Sequence, residues 1–185
     1  MKPRFTQTFF LKVLPFIILA FLASTGLSAQ TGADAKTGIS HAKPDSVVFP
    51  QAIGWVNDFE DIIDSATEVK LTNLILDHNK KTSNQIAIVT ISSISPYTAL
   101  AEFTSDLSNA WGVGEKGKNN GVTIIFSKAL REVRITTGLG IEQKLNDALC
   151  QKIVDQYMIP AFKDGDYGMG MMDGVSEIIR ILELK

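Results

Sequence analysis

The sequence predicts an α/β domain in which a small mixed β-sheet is sandwiched between α-helices. Two observations carry this. Residues 85–91 (QIAIVTI) and 122–126 are short, apolar, β-branched runs separated by an amphipathic helical pattern. Strand, helix and strand joined by a long crossover form a parallel, right-handed pair, and strands lacking polar alternation are covered on both faces. Residues 132–137 (EVRITT) alternate in polarity and follow after only a short turn near Ala129. That spacing predicts a hairpin, so the third strand is antiparallel.

Taken in order, the chain opens with a positive stretch holding Lys2, Arg4 and Lys12 and no acid. Residues 13–22 form an apolar run broken only by Pro15, and small residues follow up to Ala29. This is the layout of a secretory signal peptide over residues 1–29, with cleavage expected after Ala29. Leu27 is a poor match to the small residue usual three positions before the cut. The run is short for a membrane span, which needs ~20 residues. A periplasmic or secreted protein without a span after cleavage is expected.

Residues 30–52 are small, polar and aperiodic, and read as a flexible tether carrying His41. Residues 53–185 form the expected domain. Ser65 and Glu68 fit a capping box, with Ser65 as N-cap. Val69, Leu71, Leu74, Ile75 and His78 then keep a helical period to about Thr82. His78 falls on the apolar stripe, a core position. Leu100, Phe103, Leu107 and Trp111 mark a second helix, and 112–121 is a Gly/Lys/Asn loop. Helices are expected at about 146–158 and 167–183, separated by Pro160 and Asp164-Gly165-Asp166. Loops after the parallel strands, together with the glycine loops, are expected to gather at one end of the sheet, where such folds bind ligands.

Composition narrows the function. The chain has 18 basic and 20 acidic residues; without the signal segment its net charge is about −5. An acidic surface repels nucleic acid and anionic lipid and favours cations. The single cysteine, Cys150, has no intrachain partner, so the fold must hold by its core. The run Gly112 to Asn119 imitates a phosphate-binding loop but leads from helix to strand, and Asn119 stands where Ser or Thr must hold magnesium. Gly138-Leu139-Gly140 lacks the third glycine of a dinucleotide fingerprint. Asp164, Asp166 and Gly168 imitate part of a calcium loop without its closing Glu. No nucleophile elbow, Cys/His pair or histidine cluster is visible, so triad catalysis and zinc both lack parts.

Several segments together resemble a TPM domain. Val56-Asn57-Asp58 is similar to the family's V-x-D, and Asn84 to Val89 to its N-Q-I-A-V-V strand. Trp111 to Gly114 and Gly117 to Val122 are similar to its W-G-I-G and G-K-D-N-G-V. Arg131, Arg134 and Ile135 fit R-x-x-R-I, Gly138 to Glu142 fit G-x-G-L-E, and Leu145 to Ala148 fit L-T-D-A. Pro160-Ala161-Phe162 and Gly165-Asp166-Tyr167 fit P-x-F and G-D-Y. The resemblance implies a helix-covered sheet with an acidic, calcium-binding cluster at one edge and, for some members, acid-phosphatase activity. One departure is Asn119, where the family has an acid; an amide oxygen can ligate calcium but brings no charge.

From the residues alone, Asp58, Glu142, Asp147 and Asp166 lie in loops or at element ends and supply the hard oxygen ligands that calcium needs. With Asn119 they form the expected metal set for calcium, or alternatively magnesium. Each has a structural alternative: Asp166 as a helix cap, Asp147 as a favourable first-turn acid, Glu142 as a solvated loop acid, Asp58 as an anchor of the entry segment. Arg131 and Arg134 are open to either a phosphate oxygen or a salt bridge.

Two functions follow. One is metal-assisted phosphatase chemistry, with Glu142 and Asp166 as catalytic residues. The other is a non-catalytic, calcium-dependent module, monomeric, whose 111–121 surface docks an envelope or membrane protein.

Overall fold

The computed structural model describes residues 47–184. The expected signal segment and most of the expected tether lie outside them. The described chain forms a four-stranded sheet in the order β1-β2-β3-β4, comprising β1 (Val56–Asp58), β2 (Gln85–Thr90), β3 (Gly121–Ser127) and β4 (Glu132–Thr137). β1 and β3 pair parallel to β2, and β4 pairs antiparallel to β3. The helices are α1 (Ser65–Thr82), α2 (Leu100–Trp111), α3 (Asp147–Ile153), α4 (Ile159–Lys163) and α5 (Tyr167–Glu183).

Alternation along β2 and β3 divides the core in two. Ile86, Ile88, Ile124 and Phe126 face one way and pack with Leu71, Ile75, Met158, Met171 and Val175 from α1, the α3–α4 stretch and α5. Val89 and Ile125 face the other way and pack with Leu100, Phe103 and Leu107 of α2. Helices therefore cover both faces, as the apolar strands require. Phe49 is packed edge-on against Phe103, with ring centres 5.4 Å apart, and Trp111 Nε1 donates to Pro50 O at 2.9 Å. The chain expected to be tether is thus already docked at residues 49–50.

Three local expectations change. The N-cap of α1 is Asp64, whose Oδ1 accepts Thr67 N at 3.0 Å and whose Oδ2 accepts the Thr67 hydroxyl at 2.6 Å. The cap lies one residue earlier than expected, because a carboxylate with two donors outcompetes the Ser65 hydroxyl. The helix expected to stop near residue 158 continues to Lys163 through a π-helical turn, Val154–Met158. Pro160 falls in the first turn of α4, where a missing N–H costs little. β1 was not expected as a strand at all.

A larger correction concerns where the loops gather. The loop from residue 112 to 120 enters β3, and the loop after β4 returns to that same end because β4 is antiparallel. Gly138 N donates to Gly121 O at 2.8 Å and Gly140 N to Asn119 O at 2.9 Å. A Cβ at Gly138 would collide with Asn119 O, and one at Gly140 with Lys118 O. These glycines let two backbones touch. They lie at the end of the sheet opposite the C-termini of β1, β2 and β3.

Candidate functional site

The C-terminal edge of the parallel strands is built by five elements. β1 ends in Asp58, β2 in Thr90 and β3 in Ser127, while α1 and α5 both begin there. The two helices meet closely at this edge, since a Cβ on Gly168 would sit 3.1 Å from Thr67 Cγ2. Two helix N-termini therefore point their positive dipole ends at one sheet edge, and each has an acid as its cap.

Asp58 ties the edge together. Its Oδ2 accepts Ile62 N at 2.8 Å and Ile63 N at 2.7 Å, and its Oδ1 accepts the Thr90 hydroxyl. Thr90, fully buried, accepts Glu60 N at 3.0 Å, and Glu60 Oε2 accepts Lys128 N at 3.1 Å. Lys128 Nζ lies 5.4 Å over the Tyr167 ring, and that ring packs on Phe126 at 5.2 Å. Asp166 Oδ1 accepts Met169 N at 2.8 Å. The Asp64 carboxyl is held below its usual range by its bonds to Thr67. Glu68 is pushed up, first by burial and then by the negative charges of Asp58, Asp61 and Asp64. Asp58, Asp61, Asp64 and Glu68 thus lie close enough to repel one another.

The five expected ligands do not share this edge. Asp58 and Asp166 do. Asn119 lies at the opposite end, in the left-handed region at φ 50°, with its carbonyl bonded to Gly140 N. Glu142 follows the same loop and is exposed. Asp147 opens α3 beside the mid-strand residue Arg134, with Oδ1 3.8 Å from Nη2, and is 80 % exposed. Among the described residues, no group of three or more His, Cys, Asp or Glu side chains is placed to hold a metal ion. Asp58, Asp64 and Asp166 each bind backbone amides instead. The carboxylates present do not fit a preformed calcium cage.

One arrangement escaped sequence reasoning. His78, buried on α1, places Nδ1 3.0 Å from Glu183 Oε1 and Nε2 3.3 Å from Thr82 Oγ1. Thr82 Oγ1 donates to His78 O at 2.9 Å and accepts Asn84 N at 3.1 Å. The hydroxyl is thus engaged with backbone on both sides, which makes this a clasp at the C-terminus of α1 and not a nucleophile and base. The spacing of His78 and Thr82, four apart on one helix, was the available signal.

The fold and this edge define a small α/β domain with a mixed four-stranded sheet covered by helices on both faces. A family model for the TPM domain matches residues 56–181, and the chain belongs to that family. The solution structure of the N-terminal domain of a protein from P. gingivalis is 32 % identical, with a TM-score of 0.65 over 70 % of this chain and 82 % of that one. The BA42 protein of the psychrophilic bacterium Bizionia argentinensis shares the fold at 19 % identity, with a TM-score of 0.58 over 67 % of this chain and 83 % of that one. The N-terminal domain of the cg2496 protein of Corynebacterium glutamicum does so at 18 % identity, with a TM-score of 0.54 over 75 % and 84 %. No curated protein matches the chain. Among the described residues, no helix is long and apolar enough to cross a membrane.

Proposed function

We propose that this chain is an exported TPM domain of the cell envelope that works as a docking module through its acidic sheet edge. The observation that carries this reading is the use of Asp58, Asp64 and Asp166. Each carboxylate is bound to backbone amides of its own loop or helix, so these three acids fix the shape of the edge and keep their charge there. The Glu68 carboxyl is pushed up first by burial and then by Asp58, Asp61 and Asp64, and a cluster of acids of this kind attracts cationic groups. Calcium or magnesium then acts as a loosely held counter-ion at this edge, and the partner is an envelope protein presenting basic side chains. The N-terminal signal pattern supports a periplasmic or secreted location.

Melting of the chelator-treated protein across calcium and magnesium titrations tests this. The two ions should raise the melting temperature alike, and only at millimolar levels. A native-state ligand at ~100-fold excess over Kd adds ~2.7 kcal/mol. A calcium-specific rise at micromolar ion, lost in Asp166→Ala, would replace docking by a caged metal site. Turnover of p-nitrophenyl phosphate abolished in Asp58→Asn with the fold intact would replace it by hydrolysis.

A further inference from the structure

A second surface, remote from the acidic edge, has the opposite character. A cleft of about 530 Å³ runs between α3 with its π-helical turn and the C-terminal half of α5. Its floor is apolar, formed by Leu149, Ile153 and Ile181, with the exposed Leu184 at its edge. Its rim carries three cations, Lys144, Lys152 and Arg180, against one acid, Glu177. That acid is tied down: Arg180 Nε and Nη2 each donate to it at 2.7 Å, and only 12 % of its side chain is exposed. Tyr157, on the π turn, lines the cleft with Glu177. Single π turns inside helices recur at functional sites, and this one presents Tyr157 to the cleft.

The two lysines of the rim are engaged differently. Lys144 Nζ donates to the carbonyls of Leu182 at 3.4 Å and Leu184 at 2.8 Å, and so caps the last turn of α5. Those carbonyls are thereby withdrawn from any bound peptide. Lys152 is exposed and acts on Glu177 only through space, with no salt bridge within 4.0 Å among the described residues. The domain around the cleft is net acidic, so an anionic bilayer is repelled as a whole while a single small anion at this basic rim is not. Small-molecule sites measure about 300–1,000 Å³ and combine apolar walls with a few placed polar groups. We propose that this cleft binds an aliphatic carboxylate, its chain on Leu149, Ile153 and Ile181 and its head group at Lys152 and Lys144.

The full-length protein, kept in chelator so that the cation reading does not enter, is titrated with octanoate, octylamine and 1-octanol while NMR shifts are followed. Octanoate should perturb Leu149, Ile153, Tyr157 and Ile181 and bind at least about tenfold more tightly than octylamine. Lys152→Glu, on an exposed position, should weaken octanoate about tenfold with the melting temperature unchanged. Lys152→Arg should restore it. Equal affinity for octanoate and octylamine, shifts centred elsewhere, or unchanged affinity in Lys152→Glu would overturn the proposal. Tighter binding of an acidic, leucine-containing peptide than of octanoate would also overturn it, in favour of a protein partner.

Discussion

His78 Nδ1 lies 3.0 Å from Glu183 Oε1, joining the C-terminal turn of α1 to that of α5. The contact spans 105 residues of sequence and clamps the two parallel helices at the end opposite the acidic edge. The Glu183 carboxyl is held below its ordinary value of 4.5, first by the bond from His78 and then by Lys81. A lowered carboxyl contributes stability above its unfolded pKa and loses it as pH falls through the folded value. The melting temperature should therefore fall more steeply below pH 4.5 in the native protein than in Glu183→Gln. His78→Ala removes a buried side chain and should cost ~2 kcal/mol at neutral pH in urea unfolding. Equal pH profiles for the native protein and Glu183→Gln would show that the clasp carries no linked charge.

The cap of α1 separates two neighbouring residues sharply. Asp64 accepts both donors of Thr67, whereas Ser65 already has helical geometry. Asp64→Ala should destabilise by ~0.5–2 kcal/mol, the usual range for a lost N-cap. Ser65→Ala should be neutral or slightly stabilising, since Ala is the better helix former. Chemical denaturation of the two variants side by side checks this, and the reverse order would restore the capping box at Ser65.

Cys150 is 4 % exposed, and burial, aided by the nearby Asp147, pushes its thiol up to about 11. The thiolate is the reactive form. In the native state at pH 8 the thiol should react with a disulfide reagent at only the rate of unfolding, and at the free-thiol rate in denaturant. An immediate native reaction would mean that α3 opens away from the sheet.

Much of the fold was legible because its signals are local. β2, β3 and β4 announce themselves by composition and spacing, and α2 and α5 by an apolar period of 3.6. β1 was not, because its central residue is a fully buried Asn57. That side chain accepts Ile53 N at 2.8 Å and donates to Ile88 O at 3.1 Å. Only tertiary partners make an asparagine a core residue. The candidate ligands separated for a topological reason. The hairpin predicted near Ala129 already implies that the loop after β4 returns to the start of β3, and Asn119 and Glu142 go with it. The glycines at 138 and 140 answer to contact between two backbones, a demand that no local period reveals. The partner of His78 lies on another helix and is equally invisible along the chain.

Asp58 is where structural and metal readings part most cleanly. Its carboxylate holds the amides of Ile62 and Ile63 and the hydroxyl of buried Thr90. In Asp58→Ala these donors lose their partner, and an unsatisfied buried group costs ~1–3 kcal/mol. The expected loss is ~2–4 kcal/mol in total, read as a lower urea midpoint with the slope unchanged. Asp58→Asn keeps an acceptor oxygen and should lose about half as much. The decisive comparison is between chelator and calcium. A structural anchor gives the same loss in both, because the bonds it makes are to this chain's own amides. A ligand gives a loss that appears only with calcium, because without the ion there is nothing for the carboxylate to hold. Equal losses would fix Asp58 as the tie that closes the sheet edge, leaving Asp61, Glu68 and Asp166 as the groups through which that edge meets its partner.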